Sequence, residues 1–530
     1  MTTDRERPNS DGLTRRQLLK LGGATLGALS LGRPAWAQTP KPGGSLISAQ
    51  TNEATGLDPQ LVPALSRSRR SPLMYSQLVR YDGDMNPTPE LAESWQISPD
   101  GLTWTFKLRQ GVKFHDGQEL TSADVKFTFD RLFEKSPGKS DFIAVDKVEP
   151  AGRYAVKFAT KEPFAGLLAA LGGFWGFIIS EAGIKKYGDL NKAALGTGPF
   201  MLEDWKVEQQ LTLKRNPNFF RKGLPYVDTL TVRIIPDEAN IVAALRTGQI
   251  HHAFIEDNKN YNLLKEEKGL VGYRSSRLGY DFLNINASRG PLKDVRVRQA
   301  ISWAVDRQSI VDKVFFGVHK VSVGPLSEGV WARSTNVEQR FGYDPAKAQQ
   351  ILESAGWMAG ADGIRTRAGQ RLTALLATFR SPWTELAEAM QAQLRTVGID
   401  LQVQKMERGP YLDFVRAYSH NLCATASTSL DPDGIVRVAY HSSNKARTNY
   451  SNLGDPALDA LLDKGAQQAI GTAERKATYE EVQTRIMDLV PFVGVMSQVR
   501  LEAAANKVHD LHMGPDGLNA TQMNDVWLDA

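Results

Sequence analysis

Residues 93–132 read ESWQISPDGLTWTFKLRQGVKFHDGQELTSADVKFTFDRL, and the reading of this run decides the fold. Ser98-Pro99-Asp100-Gly101 is a tight-turn signal, because proline presets φ and glycine accepts φ > 0. Beyond it, Leu102, Trp104, Phe106 and Leu108 alternate with Thr103, Thr105, Lys107 and Arg109. That period of two predicts a half-buried antiparallel strand. His115-Asp116-Gly117 turns the chain again, and Thr121 with Asp124 three residues later makes an imperfect capping box. Val125, Phe129 and Leu132 then fall at i, i+4 and i+7, one face of a helix. The stretch specifies strand, turn and helix, and by itself no chemistry.

The whole chain has 530 residues, too many for one hydrophobic core, and points to two or three lobes. Its 42% hydrophobic and 23% charged residues are those of a soluble globular protein. The N-terminus reads as an export signal. Thr14-Arg15-Arg16-Gln17-Leu18-Leu19-Lys20 is a twin-arginine pattern, followed by the apolar run LGGATLGALSLG at 21–32. Ala35-Trp36-Ala37 then offers small-x-small cleavage after Ala37. The apolar run has about a dozen residues, whereas a membrane span needs about 20. The expectation is a periplasmic mature chain. Residues 1–37 carry six of the basic side chains and three of the acids, so the formal charge of +5 falls to +2 on their removal. A balance so near zero gives no reason to expect nucleic acid. The single Cys423 excludes an intramolecular disulfide and a multi-cysteine metal site, and reads as a small buried side chain.

Alternating strands and capped helices continue along the chain. Gly43 to Ser48 reads as a first strand, Tyr154–Phe158 and Leu230–Ile234 as others, and Ala239–Thr247 as a helix closed by Gly248. His251-His252 make a poor shared metal site, since neighbours diverge on a strand, and read as surface or edge histidines. Asp294 caps a helix whose Val297, Ala300, Ile301, Ala304 and Val305 form the inward stripe. Asp344-Pro345 to Gly356 is a helix with an Asp cap, proline at its first position and a glycine stop. Helix Trp383–Thr396 leads to a strand at Ile399–Val403, and helix following strand implies an α/β lobe.

The 93–132 run resembles the signature block of the extracytoplasmic solute-binding proteins of ABC importers, family 5, which bind peptides, opines and nickel. The shared pattern is W-x-x-S-x-D-G-x-x-[WY]-x-F-x-L-R-x-G-V-K-F-H-D-G-x-x-L-T-x-x-D-V. LDP at 57–59, GTGPF at 196–200 (Phe for the family's Tyr), DVRVRQA at 294–300 and the NLGDPALDALL helix start at 452–462 extend the resemblance. It implies an α/β, periplasmic-binding-protein-like two-lobed fold. Lobe I would span 38–275, with an extra subdomain near 80–200. Lobe II would span 276–492, and 493–530 would return to lobe I.

The resemblance also implies where ligand sits. Glu53 stands where peptide-binding members often carry a cleft acid, the alternative being a solvated loop carboxylate. Tyr280, on the crossover strand, would lie near the cleft. Asp431 is the best match to the acid that pairs with a peptide's free amine, although Ser427, Thr428, Ser429 and Leu430 replace the aromatics that often precede it. Turn chemistry alone also explains Asp431-Pro432-Asp433-Gly434. Trp175, among Gly172, Gly173 and Gly176, and Trp331 are candidate cleft walls or core.

No catalytic constellation stands beside these features: no G-x-S-x-G, no H-E-x-x-H, and dispersed histidines of which His115 belongs to the signature turn. The function implied is therefore a receptor, not an enzyme, with no cofactor. It would close about a hinge on a small solute, a short peptide foremost, and deliver it to an inner-membrane permease as a monomer. An opine, sugar conjugate or metal chelate is the alternative ligand; a periplasmic hydrolase or chaperone-like peptide binder is the alternative class.

Overall fold

The computed structural model describes residues 39–53, 56–61, 69–82, 85–188, 190, 193–276, 278, 280–427, 429–514 and 523–529. Arg15, Arg16, Ala35 and Ala37 lie outside them. From Lys41 onward the chain is one compact unit.

Strand β1 (Ser45–Gln50) is followed by a small four-stranded antiparallel sheet, β2 (Ala92–Ile97), β3 (Thr103–Leu108), β4 (Val145–Pro150) and β5 (Ala155–Thr160). Its order is β2-β3-β5-β4, and helix α1 (Ser122–Lys135) covers one face. The alternation of residues 102–108 thus becomes β3, whose Trp104, Phe106 and Leu108 are buried. Phe106 meets Phe158 edge-on at 5.4 Å, and Phe158 meets Phe129 of α1 at 4.9 Å. The capping box forms: the Asp124 carboxylate accepts from the Thr121 N–H at 2.9 Å and from its hydroxyl at 3.0 Å.

The chain then builds β6 (Phe200–Lys206), β7 (Gln210–Arg215), β8 (Thr229–Ile234), β9 (His252–Ile255), helix α2 (Asn258–Lys265) and β10 (Leu270–Ser276). It crosses to β11 (Tyr280–Ile285), helices α3 (Val295–Ala304), α4 (Arg307–Val314) and α5 (Pro345–Ser354), β12 (Thr373–Thr378), helix α6 (Trp383–Arg395), β13 (Asp400–Lys405) and β14 (Leu422–Ser427). Helices α7 (Asp433–Tyr440), α8 (Pro456–Gln467) and α9 (Ala473–Leu489) follow, then β15 (Phe492–Gly494) and β16 (Val499–Ala505).

Two large sheets result. The first has the order β10-β16-β9-β1-β8-β7-β6, with β1 parallel to β8 and β9. The second has the order β13-β12-β14-β11-β15, with β12 parallel to β13 and β14. Each has its own core: Leu46, Leu230 and Val232 on one face of the first, and Leu283, Val297, Trp357 and Trp383 against the second. This is the two-lobed α/β fold with a subdomain. Cys423 is wholly buried on β14, and burial pushes its thiol well above the ordinary value, so the small-side-chain reading holds.

Further contacts join the lobes beyond the crossing strands. Val318, after α4 of lobe II, is buried in the lobe I core with Ala49, Ile241 and Leu501. Conversely Met85 and Ala169, from the subdomain side, join the lobe II cluster that holds Leu430 and Ile435.

Candidate functional site

In open α/β sheets, ligands sit beyond the carboxyl ends of the parallel strands. Here those ends belong to β1 and β9 in lobe I and to β12 and β14 in lobe II. A cavity of about 670 Å³ lies beyond two of them, β9 and β12. Glu256 and Lys259, following β9, line one wall, Ser381 and Pro382, following β12, line another, and Arg500 of the crossing strand β16 contributes as well.

The polar wall is built from lobe I. Arg69 is only 8% exposed, its guanidinium carbon 4.3 Å above the Phe254 ring. Both terminal nitrogens reach Glu256 Oε1 only at 3.5 Å. Burial pulls its pKa below the ordinary arginine value, with Glu256 opposing. Arg500 Nε lies 3.1 Å from Glu502, which receives His252 Nε2–H at 2.8 Å. The Ser48 hydroxyl lies 2.8 Å from His252 Nδ1 and donates to it in that tautomer. Ser48, His252 and Glu502 are all buried, so this Ser–His–Glu row has no access for a substrate. The expectation of two surface or edge histidines fails for His252, because the central position of β9 between β1 and β16 covers its ring.

His319 closes the same cavity near the hinge. Its Nδ1 accepts from the Val499 N–H at 3.2 Å and its ring meets Phe315 edge-on at 5.1 Å. Burial, with Arg274 adding, lowers its pKa to about 4. His420, wholly buried in lobe II, is likewise lowered to about 4, by burial and then by Arg289, against the Tyr450 carbonyl that takes its Nε2–H at 3.0 Å. These rings are neutral when folded and charged when unfolded below an ordinary histidine value of about 6.5. Stability is therefore complete above about pH 6.5 and is lost as pH falls toward 4, His420 alone accounting for about 3 kcal/mol across that window. Denaturant unfolding at pH 7, 5.5 and 4.5 checks this, and His420→Gln should flatten the slope by that residue's share.

The sequence-derived candidates divide. Asp431 and Trp331 come together through Arg475, which no sequence signal marked. Arg475 donates to both Asp431 oxygens at 2.8 and 2.9 Å, lies 5.4 Å from the Trp331 ring centre, and has a fully buried side chain. Burial lowers its pKa, but the Asp431 charge more than offsets this, and the net shift is upward. Trp331 also meets Tyr479 edge-on at 6.0 Å. Tyr81, ending a short strand Val79–Tyr81 that pairs with Pro87–Pro89, packs on the same cluster, against Gly172, and its hydroxyl is pushed up by burial and then by the Asp431 charge.

Glu53 has neighbours of its own. It lies 2.5 Å from Arg70, accepts the Glu208 N–H at 3.0 Å, and at 14% side-chain exposure is not a solvated carboxylate. Trp175 packs on the small sheet's core and against Gly138, where a methyl would lie 2.2 Å from the indole. Tyr280 starts β11 opposite Ser427 of β14, and neither is among the residues lining the cavity. His115 pins the GTGPF turn, its ring nitrogens 3.3 Å from the Ala194 carbonyl and 3.1 Å from that of Gly198.

Comparison with known proteins agrees with this architecture. A family model described as bacterial extracellular solute-binding proteins, family 5 (middle), matches residues 86–447. The chain is 30% identical over 450 residues to a probable D,D-dipeptide-binding periplasmic protein, DdpA, of Escherichia coli K12, covering 82% of this chain and 84% of that one. Among solved structures it resembles the oligopeptide-binding protein AppA of Bacillus subtilis in complex with a nonapeptide. There the TM-score is 0.73 and the identity 26%, over 93% of this chain and all of that one. It shares the fold of NikA from Brucella suis, solved in complex with Fe(III)-EDTA, with TM-score 0.83 and 24% identity over 92% of this chain and 100% of that one. The family is one of binding proteins, and the chain belongs to it: it is a family 5 bacterial extracellular solute-binding protein.

Proposed function

We propose that this protein is the periplasmic receptor of an ABC importer, exported through the Arg15-Arg16 signal, cleaved after Ala37 and working as a monomer without catalysis. The cavity of about 670 Å³ between the two lobes carries this reading. A solute bridging lobe I and lobe II favours the closed state by its differential contacts, and a permease then reads that state. The volume falls within the range of about 300–1,000 Å³ expected of a small-ligand site. A short peptide is the leading solute, supported by the dipeptide- and nonapeptide-binding relatives. We assign Asp431 to holding the cleft loop through Arg475, with Trp331 as wall, because both its oxygens are engaged within lobe II. We also assign Glu53, Tyr280 and Trp175 to the wider cleft, outside the residues that line this cavity.

Native mass spectrometry of the mature chain from periplasm, compared with the same sample denatured, tests this. A released mass that fragments as a short peptide supports peptide uptake, and a chain mass starting at Gln38 supports the cleavage. A released opine or metal complex retains the receptor and removes the peptide.

A further inference from the structure

The cavity wall contains an arginine whose surroundings in lobe I do not satisfy it. Arg69 is nine-tenths buried, yet its ion-pair partner among the described residues, Glu256, stands at 3.5 Å on a side chain 44% exposed. Charge-assisted hydrogen bonds of this type ordinarily close to about 2.7–2.9 Å. A guanidinium out of water with such long contacts has unused capacity facing the cavity. Arg500 lies near enough to repel it, and is itself held by Glu502.

The opposite wall belongs to lobe II. Ser381, Pro382 and Glu385 line the cavity, placing the N-terminus of the 13-residue helix α6 there. That helix has no side-chain cap, its N-cap position being Pro382. Its first N–H groups carry the positive end of the helix dipole. The acids around the cavity are largely committed: Asp257 caps α2 by accepting from Lys259 and Asn260, and the Glu385 carboxylate takes the Ser381 hydroxyl at 2.8 Å. Glu256 is the exception: among the described residues its carboxylate is held by the long contact to Arg69 alone, and so can swing aside.

We propose that Arg69, seconded by Arg500 and faced by the N-terminus of α6, is an anion subsite that receives a carboxylate of the solute and couples it to lobe closure. The inference rests on the receptor reading and deepens it. Guanidinium from lobe I and helix dipole from lobe II meet the same carboxylate only when the lobes are together. The group thus supplies the differential affinity that closure requires. A free peptide C-terminus and a small non-peptide carboxylate share this chemistry.

Calorimetry on the full mature chain with four probes separates the possibilities: Ala-Ala-Ala, its C-terminal amide, iminodiacetate and sucrose. We expect the tripeptide acid to bind at least about tenfold tighter than its amide, a difference of about 1.4 kcal/mol. Arg69→Gln should abolish that preference, weakening the acid at least about tenfold and the amide far less, and Arg69→Lys should restore part of it. Glu256→Gln should tighten the acid a few-fold by releasing Arg69, an effect that a merely structural Arg69 does not give. Binding of the tripeptide but not iminodiacetate identifies a peptide terminus; binding of iminodiacetate identifies a small carboxylate. Equal affinity of acid and amide, or acid binding unchanged in a folded Arg69→Gln, overturns the inference while the receptor stands. If no carboxylate binds, the inference also falls. A mature chain that binds no probe and releases no solute on denaturation removes the receptor reading as well.

Discussion

Replacing Arg475 with leucine is expected to destabilise lobe II by about 3–5 kcal/mol, the cost of leaving a buried charge without its partner. Asp431 is 4% exposed and cannot recover the loss from water. Arg475 also donates from Nε to the Gly465 carbonyl at 2.9 Å, tying α9 to α8, and its guanidinium lies 5.2 Å from the Tyr479 ring centre. Substitution therefore unties the loop before α7 and frees Trp331 together. Asp431→Asn combined with Arg475→Leu should recover much of the loss, since the orphaned carboxylate is what costs most. Denaturant unfolding of the two single variants and the double variant measures this coupling. A single Arg475→Leu within about 1 kcal/mol of wild type would show that water reaches Asp431.

Gly196→Ala is the second large effect expected. A methyl at Gly196 would lie 2.1 Å from the Met74 carbonyl oxygen and 2.6 Å from the Tyr75 ring. Main chain cannot swing aside as a lysine tip can, so the loss should reach about 3 kcal/mol or more, the upper end of overpacking costs. The turn it would displace is fixed on every side. Gly198 N–H donates to the Met74 carbonyl at 3.0 Å, and the Asn216 amide donates to the Gly198 carbonyl at 2.9 Å. Gly117→Ala is the control: φ there is +90° but nothing lies within 4 Å of an added methyl, so only the conformational cost of about 1–2 kcal/mol applies. Thermal unfolding of the two variants side by side should show Gly196→Ala well below Gly117→Ala.

The contrast between these residues shows what a sequence discloses. Residues 98–132 were legible because turn, alternation and helical stripe are all local, and each names the face that β3 or α1 buries. The crossing from lobe I to lobe II was legible in GYRSSRLGYDFLNIN, where two strands meet with only residues 277–279 between β10 and β11. Asp431 was marked as a candidate, but its partner lies 44 residues away on α9, and no local pattern distinguishes Arg475 from a solvated helix arginine. Arg69 was missed for a similar reason. In SRSRR it reads as one of a surface cluster, and only the fold turns it over Phe254 and into the cavity. His252 was misjudged because the strand that covers it, β16, comes some 250 residues later.

That late strand has a consequence for how the protein comes into being. β16 lies between β9 and β10, pairing with both, so lobe I emerges from the ribosome with an open slot one strand in from the edge of its largest sheet. The second sheet has all its strands by β15. Until Val499–Ala505 arrive, β9 and β10 expose unpaired edges of the kind that template aggregation. The first sheet therefore cannot close until Val499–Ala505 have been made, and its closing pairings are among the most distant in sequence, the kind that form slowly.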